Sequence, residues 1–475
     1  MKQEILRFDG FNAMLKHFAD TTPTAPALAY EDRTLSFEEL YEQVLRQAID
    51  YVKSGASCLG VLADGSLSCV ISIFGAVLAG MQVVMLDESL PEDTLRQLLV
   101  YADVDLLYGD EDLVAALSPS LVQDRDEESP FVKQHQLLFF TSGTTRRQKA
   151  VVLTDESLMQ SAWNGSMMLP LTPSDRLLCL LPLGHVFGFV CGLLWGLSSG
   201  ACVCLGRGAR HYMDDIAYYQ PTAVSVVPLL LGYLLKADVL QDPLRLVLVG
   251  AGSCSRSLLD AVTSKGIQVS FGYGLTETSS GVAISTSGDP YKMAICPDDE
   301  ITLAPDGEVL IKAPTCMMQG YYKLMADTLD VLQDGVLHTG DLGTFDGNGL
   351  LTITGRKKDI LVLPDGTKIF LPEYEAALIS LLGHPELAVT ESDGRPVLIY
   401  AGVQQPADSD PTATSGSPTS KETLRQHILE VITPYMQTLP RGQQISRIVI
   451  TSAALPRATA TGKLKRWQIG ALLTE

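Results

Sequence analysis

Lys149, Glu277, Asp341 and Lys463 are charged residues set among hydroxyls and glycines. Lys149 closes the stretch TSGTTRRQK (141–149), where Thr141, Ser142, Gly143, Thr144 and Thr145 precede two arginines. Such a run lets backbone N–H groups and hydroxyls turn toward an anion, and the lysine adds a point charge suited to polyphosphate. The GxxxxGK[ST] order of a Walker loop is absent. Taken alone, the run reads equally well as an ordinary turn. Glu277 lies in FGYGLTETSS (271–280), where Gly272 and Gly274 permit close backbone approach and Tyr273 offers a ring to a base. A lone carboxylate in a polar loop beside a triphosphate is a usual holder of Mg²⁺. Asp341, in HTGDLG (338–343), can accept both hydroxyls of a ribose. GRKKD (355–359) and LPRATATGKLKR (455–466), which presents Lys463 beside Gly462, complete the set.

These residues need elements to position them. QLLFF (136–140) reads as a strand that TSGTT leaves as a loop. SCLGVLAD, MQVVMLD, ACVCLG, AVSVVP and LRLVLVGAG read as buried strands, and SLSCVISIFGAVLAG and SLLDAVTSKG as helices ending on glycine. Alternation of this kind predicts parallel sheets covered by helices. From about 300 the turn signals crowd together: ITLAPDGEVLIKAP, DGVLHTGDLGTFDGNGLLTITG and ILVLPDGTKIFL predict hairpins of a smaller β-rich unit. KETLRQHILEVITPYM then predicts an amphipathic helix and SRIVITSAAL a strand, after a Pro/Ser/Thr-rich loop over 404–420.

Length and apolar content allow two to four domains, and the formal charge of −20 argues against nucleic acid or anionic membranes as partners. From Arg356 onward there are 13 Lys+Arg against 12 Asp+Glu, and before it 22 against 43, so a near-neutral tail follows an acidic body. The nine cysteines lack metal-ligand spacing; Cys202 and Cys204 fall on one face of a strand. The opening MKQEILRFDG lacks an apolar signal region, and no apolar run reaches the ~20 residues of a membrane span, so a cytoplasmic protein is expected.

In order and separation, the five motifs resemble the adenylate-forming superfamily of acyl- and aryl-CoA synthetases, luciferases and peptide-synthetase adenylation domains, with long-chain acyl-CoA synthetase-like members nearest. The resemblance implies an α/β fold: a large N-terminal domain of parallel sheets plus a β-rich subdomain (1–355), then a small mobile α+β C-terminal lid (356–475) hinged near Lys358. It implies that Thr141, Ser142, Gly143, Thr144, Thr145 and Lys149 hold phosphates, and that Gly250, Ala251, Gly252, Tyr273 and Gly274 surround the adenine. Thr276 would meet the α-phosphate, Glu277 the magnesium, Asp341 and Arg356 the ribose, and Lys463 would drive adenylation. The implied reaction activates a carboxylic acid with ATP and Mg²⁺ to an acyl-adenylate, then passes it to the thiol of coenzyme A or of a phosphopantetheinyl carrier protein (acyl or peptidyl). Arg146 and Ala150 stand where the family usually has glycine. Arg146 and Arg147 nonetheless add positive charge that favours a triphosphate, so a working site is expected, with a silent ATP-binding scaffold as the alternative.

The acid is read from LPLGHVFGFVCGLLWGLSSGACVC (181–204), which holds no carboxylate to pair with a substrate ammonium. A fatty or other apolar acid is the expectation, with an aryl- or amino-acid-activating enzyme second. His185 reads equally as a residue near the substrate carboxylate and as a core histidine. Gly188, Gly192 and Gly196 recur every four residues and leave either room for an extended chain or space for close helix packing.

Overall fold

The Val- and Leu-rich runs form strands in which every residue is buried: Cys58–Leu62, Gln82–Leu86, Cys202–Leu205, Ala223–Val226 and Leu246–Val249. Burial on both faces is what a helix-covered parallel sheet requires. The structure is a computed structural model, and it describes residues 5–121, 135–141, 149–252, 254–286, 288–362, 368–403, 420–457 and 464–474. The chain divides into two compact units; the described residues of the first run up to 339 with 343–353, and those of the second comprise 340–342 and the residues from 354 on.

In the first unit a nine-stranded sheet runs in the order Ala294–Ile295, Ser280–Ile284, Gln268–Leu275, Leu246–Val249, Ala223–Val226, Arg176–Cys179, Cys202–Leu205, Pro26–Tyr30, Arg33–Ser36. Its centre is parallel and its edges antiparallel. A six-stranded sheet runs Gly320–Tyr321, Ala150–Thr154, Gln136–Phe140, Gln82–Leu86, Cys58–Leu62, Leu106–Tyr108. Two helices between them are largely buried. Leu67–Leu78 buries mostly apolar residues, with Ser72 among them, and is capped by Ser66. Asp155–Met168, capped by Thr154, instead buries Asp155, Ser157, Gln160, Ser161, Asn164 and Ser166. Val203 and Leu205 join the large core, while Cys202 and Cys204 join a second core on the other face of the same strand. All nine cysteines are free thiols.

The hairpin signals after 300 resolve into two places. Glu300–Leu303, Glu308–Lys312, Val336–Phe345, Leu332–Gln333 and Leu351–Arg356 form one five-stranded sheet. The third predicted hairpin, Ile360–Val362 with Lys368–Phe370, is a separate two-stranded sheet of the second unit. That unit also holds helix Leu371–Leu382, helix Ser420–Thr438 and the strands Leu387–Ser392, Arg395–Tyr400 and Arg447–Ile450, closed on a core that includes Leu378, Leu398, Ile428 and Ile432. Among the described residues no helix is long and apolar enough to cross a membrane.

Candidate active site

Strand Gln136–Phe140 ends at the hydroxyl-rich loop, and strand Ala150–Thr154 leaves it. The Thr141 N–H donates to the Lys149 carbonyl at 2.9 Å, which closes the base of the loop. Ser142, Gly143, Thr144 and Thr145, with Arg146 and Arg147, lie outside the described residues, as does Lys463. Lys149 itself is well placed. Its Nζ is 2.6 Å from Asp327 Oδ1 and 4.5 Å from the centre of the Tyr321 ring. Tyr321 comes to this point because Gly320–Tyr321 pairs with the strand that follows Lys149, with Tyr321 opposite Val151. Its hydroxyl donates to Glu277 Oε1 at 2.7 Å. Burial first, and the Glu277 carboxylate second, push the phenol far above its ordinary value, so it remains a donor.

Glu277 was expected in a polar loop. Strand Gln268–Leu275 instead continues through Tyr273 and Gly274, and Glu277 sits on the short 3-10 turn Thr276–Thr278 that follows. The strand persists because it pairs with Ser280–Ile284 so closely that a Cβ on Gly274 would lie 1.6 Å from the Ser280 carbonyl oxygen. Ser279 and Ser280 both adopt positive φ, 53° and 115°, a costly state for residues with a side chain. Ser279 is held there by donating to the Cys316 carbonyl at 2.7 Å. Residues held in such sparsely populated states cluster at functional sites. Ala251, in the expected adenine turn after strand Leu246–Val249, likewise has φ 61°. Glu277 Oε2 has no partner among the described residues, which fits a carboxylate that shares Mg²⁺ with substrate phosphates.

His185 precedes a π-helical segment, Gly188–Leu194. About 31% of its side chain is exposed, yet Nε2 itself is buried and unbonded, 3.8 Å from Asp87 Oδ2 at the end of strand Gln82–Leu86. Burial lowers the affinity of the imidazole for its proton and Asp87 opposes the shift. The glycine stripe is filled by packing. A Cβ at Gly188 would lie 2.3 Å from the Pro182 carbonyl oxygen, at Gly192 2.8 Å from Cys179 Sγ, and at Gly196 2.5 Å from Val203 Cγ2. The glycines therefore let the helix lie on its sheet, and no room for a chain opens along them. On another side of the helix a narrow apolar slot of about 10 Å³, room for one water, is lined by Ser161, Gly165, Val190, Cys191, Trp195 and Gly281.

In the second unit Asp341 is buried and Arg356 Nε lies 2.6 Å from its Oδ1, so the two residues expected at a ribose are neighbours. Lys358 lies on the turn Lys357–Asp359 just beyond. Tyr321, Asp327 and Asp87 were missed by the motifs, although GYYKLMADT (320–328) does place a tyrosine and an acid directly after a predicted β-rich stretch.

The model of the AMP-binding enzyme family matches residues 15–322. The chain belongs to the AMP-binding enzyme family. This AMP-binding enzyme is similar to the 2-succinylbenzoate–CoA ligases of Bacillus licheniformis (29% identical over 412 residues, 79% of this chain and 84% of the relative) and Bacillus cereus strain Q1 (28% over 403 residues, 77% and 82%). Its fold is similar to that of o-succinylbenzoate CoA synthetase (MenE) from Bacillus subtilis in complex with the acyl-adenylate intermediate OSB-AMP, with TM-score 0.78, 25% identity, and coverage of 96% of this chain and 97% of the other.

Proposed function

We propose that this enzyme activates an aromatic carboxylic acid with ATP and transfers the acyl group to the thiol of coenzyme A. The observation that carries the reading is the unbroken line Lys149–Tyr321–Glu277 in a chain of the AMP-binding family: a cation for phosphate oxygens and a carboxylate for magnesium share one tyrosine. A carboxylate oxygen attacks the α-phosphorus of ATP, and pyrophosphate leaves with the electron pair of the broken P–O bond. The acid is already ionised at neutral pH, so this step needs positioning and charge neutralisation rather than a base. Lys149 and the hydroxyls of Thr141–Thr145 bind the phosphates, Thr276 meets the α-phosphate, Tyr273 and the Gly250–Gly252 turn take the adenine, and Asp341 with Arg356 takes the ribose. Magnesium, held by Glu277, supplies further neutralisation of phosphate charge when bound. Lys463 completes adenylation on a lid of residues 356–475 that turns about Lys358. The thiol sulfur then attacks the acyl carbon and AMP departs.

The fatty acid expected from sequence gives way to an aryl acid for two reasons. The relatives are named for 2-succinylbenzoate, and the glycine stripe is closed by contacts with Pro182, Cys179 and Val203 that leave no room for a chain along it. His185, neutral and with Nε2 unbonded, is the nearest candidate to orient the substrate carboxylate. The test is carboxylate-dependent ATP–pyrophosphate exchange across aromatic, fatty and amino acids, with Lys463→Ala as control. Exchange with aromatic acids, lost in the variant, is expected. Exchange with fatty acids alone would restore the first reading of the acid. ATP binding without exchange for any acid would leave the scaffold.

A further inference from the structure

Lys149 has a partner that the reaction does not call for. Among the described residues its ammonium makes one ionic contact, to Asp327 Oδ1, and lies over the Tyr321 ring; its side chain is 21% exposed and that of Asp327 39%. An ammonium has three N–H donors, so this pairing leaves the cation unsaturated. Asp327 is not a drifting surface acid. It stands in the first turn of helix Met325–Val331, and the next residue, Thr328, fixes that turn: its Oγ1 accepts from the Tyr321 N–H at 2.8 Å and donates to the Leu324 carbonyl at 3.0 Å. The strand that carries Tyr321 and the helix that carries Asp327 are thus pinned together, with Lys149 between the ring and the carboxylate. A polyanion approaching Lys149 meets Asp327 first as a like charge and then as a competitor for the same ammonium.

We infer that Asp327 is the resting counter-ion of Lys149, a positioning residue that holds the lysine side chain in place and is exchanged for phosphate oxygens when ATP binds. The inference rests on the functional reading above and adds a cost to it: part of the attraction between Lys149 and the triphosphate is spent in breaking the Asp327 contact. Removing the carboxylate then strengthens nucleotide binding, whereas loss of a merely structural contact would weaken it. The size follows from the pair's partial exposure, since such pairs contribute up to roughly a kcal/mol, or about 2–5-fold in affinity.

The experiment is calorimetric titration of the full chain with ATP, with and without Mg²⁺ and in the absence of any acid. Asp327→Asn is expected to bind ATP about 2–5-fold more tightly than wild type, and Asp327→Glu to match wild type. In a Lys149→Met background the same Asp327→Asn change should give a smaller gain than in wild type, because only the like-charge repulsion is then relieved and the competition has lost its object. Unchanged or weaker binding by Asp327→Asn would overturn the counter-ion role. So would an equal gain in the Lys149→Met background, which would reveal only a general change in local charge. A wild-type chain that binds no ATP would overturn the functional reading itself, and this inference with it.

Discussion

Arg466 and Lys149 are almost equally shielded from water, 20% and 21% exposed, and both meet carboxylates. Their surroundings differ in saturation. Arg466 spends Nη1 and Nη2 on the two oxygens of Glu375, at 2.9 and 2.8 Å, and Nε on Asp359 Oδ1 at 2.9 Å. Glu375 Oε1 also accepts the Val389 N–H at 2.7 Å, so Arg466 is tied to a network of several bonds within the second unit. Lys149 has one carboxylate oxygen and a ring face. A cation with three of its five N–H donors fixed by two carboxylates of its own fold belongs to the scaffold. One held by a single replaceable contact beside an open carboxylate is arranged for something that arrives later.

That contrast can be broken most strongly at Glu277. Glu277→Gln keeps the size and an acceptor for Tyr321 but removes the charge, and is expected to lower the adenylation rate by ~10²–10³. The melting temperature should stay near wild type; a variant that melts early with normal exchange would make Glu277 structural. Next is Arg466→Met, which leaves Glu375 shielded and without its cation. A loss of about 3 kcal/mol in the stability of the second unit is expected by urea unfolding. Equal stability would mean that saturation does not mark the scaffold. Tyr321→Phe removes one hydrogen bond to a carboxylate and keeps the ring beneath Lys149. A roughly tenfold loss in adenylation is expected, visible as a raised Mg²⁺ requirement in exchange assays.

The smallest effect concerns a carboxylate with no cation paired to it among the described residues. Asp299 accepts from Asn164 Nδ2 at 3.1 Å through Oδ2, while its Oδ1 and the Asn164 Oδ1 are buried without partners. Burial, then repulsion from Asp298, push its carboxyl up to about 8. A carboxyl that is more basic folded than unfolded favours the fold while it is protonated. Its contribution is full below the ordinary carboxylate range and is lost as pH rises to and through about 8. Asp299→Asn removes that dependence. The variant should melt a few degrees above wild type at pH above 8, at ~2–4 °C per kcal/mol, with the gap closing toward pH 4. A gap that does not change with pH would assign the effect to packing.

Much of the fold was legible because its signals are local. Four- and five-residue apolar runs bounded by turns became the central strands, and ALAYEDRTLSFEEL became the hairpin Pro26–Tyr30 with Arg33–Ser36. A turn at Glu277 was legible from its clustered hydroxyls and glycines, though not the strand that runs through Tyr273 and Gly274 to reach it. What joins that turn to Lys149 was not. Tyr321 and Asp327 stand more than 170 residues after Lys149, and only the pairing of Gly320–Tyr321 with Ala150–Thr154 brings them to it. Helix Asp155–Met168 was equally silent, since a buried helix with six polar residues breaks the amphipathic pattern by which helices are found. The glycine stripe had two readings because its meaning depends on neighbours, Cys179 and Val203, that spacing cannot name.

That stripe also divides the molecule into places where variation is cheap and places where it is closed. Any side chain larger than hydrogen at Gly188, Gly192 or Gly196 must shift a carbonyl, a thiol or a valine on the sheet, so a mutant library aimed at widening the range of acids would waste its members there. Gly165, on helix Asp155–Met168, differs: its Cβ direction meets nothing nearer than 3.6 Å, at the Trp195 ring, so a small side chain fits there without displacing a neighbour. A change of side-chain size is thus open at Gly165 and closed along the stripe from Gly188 to Gly196.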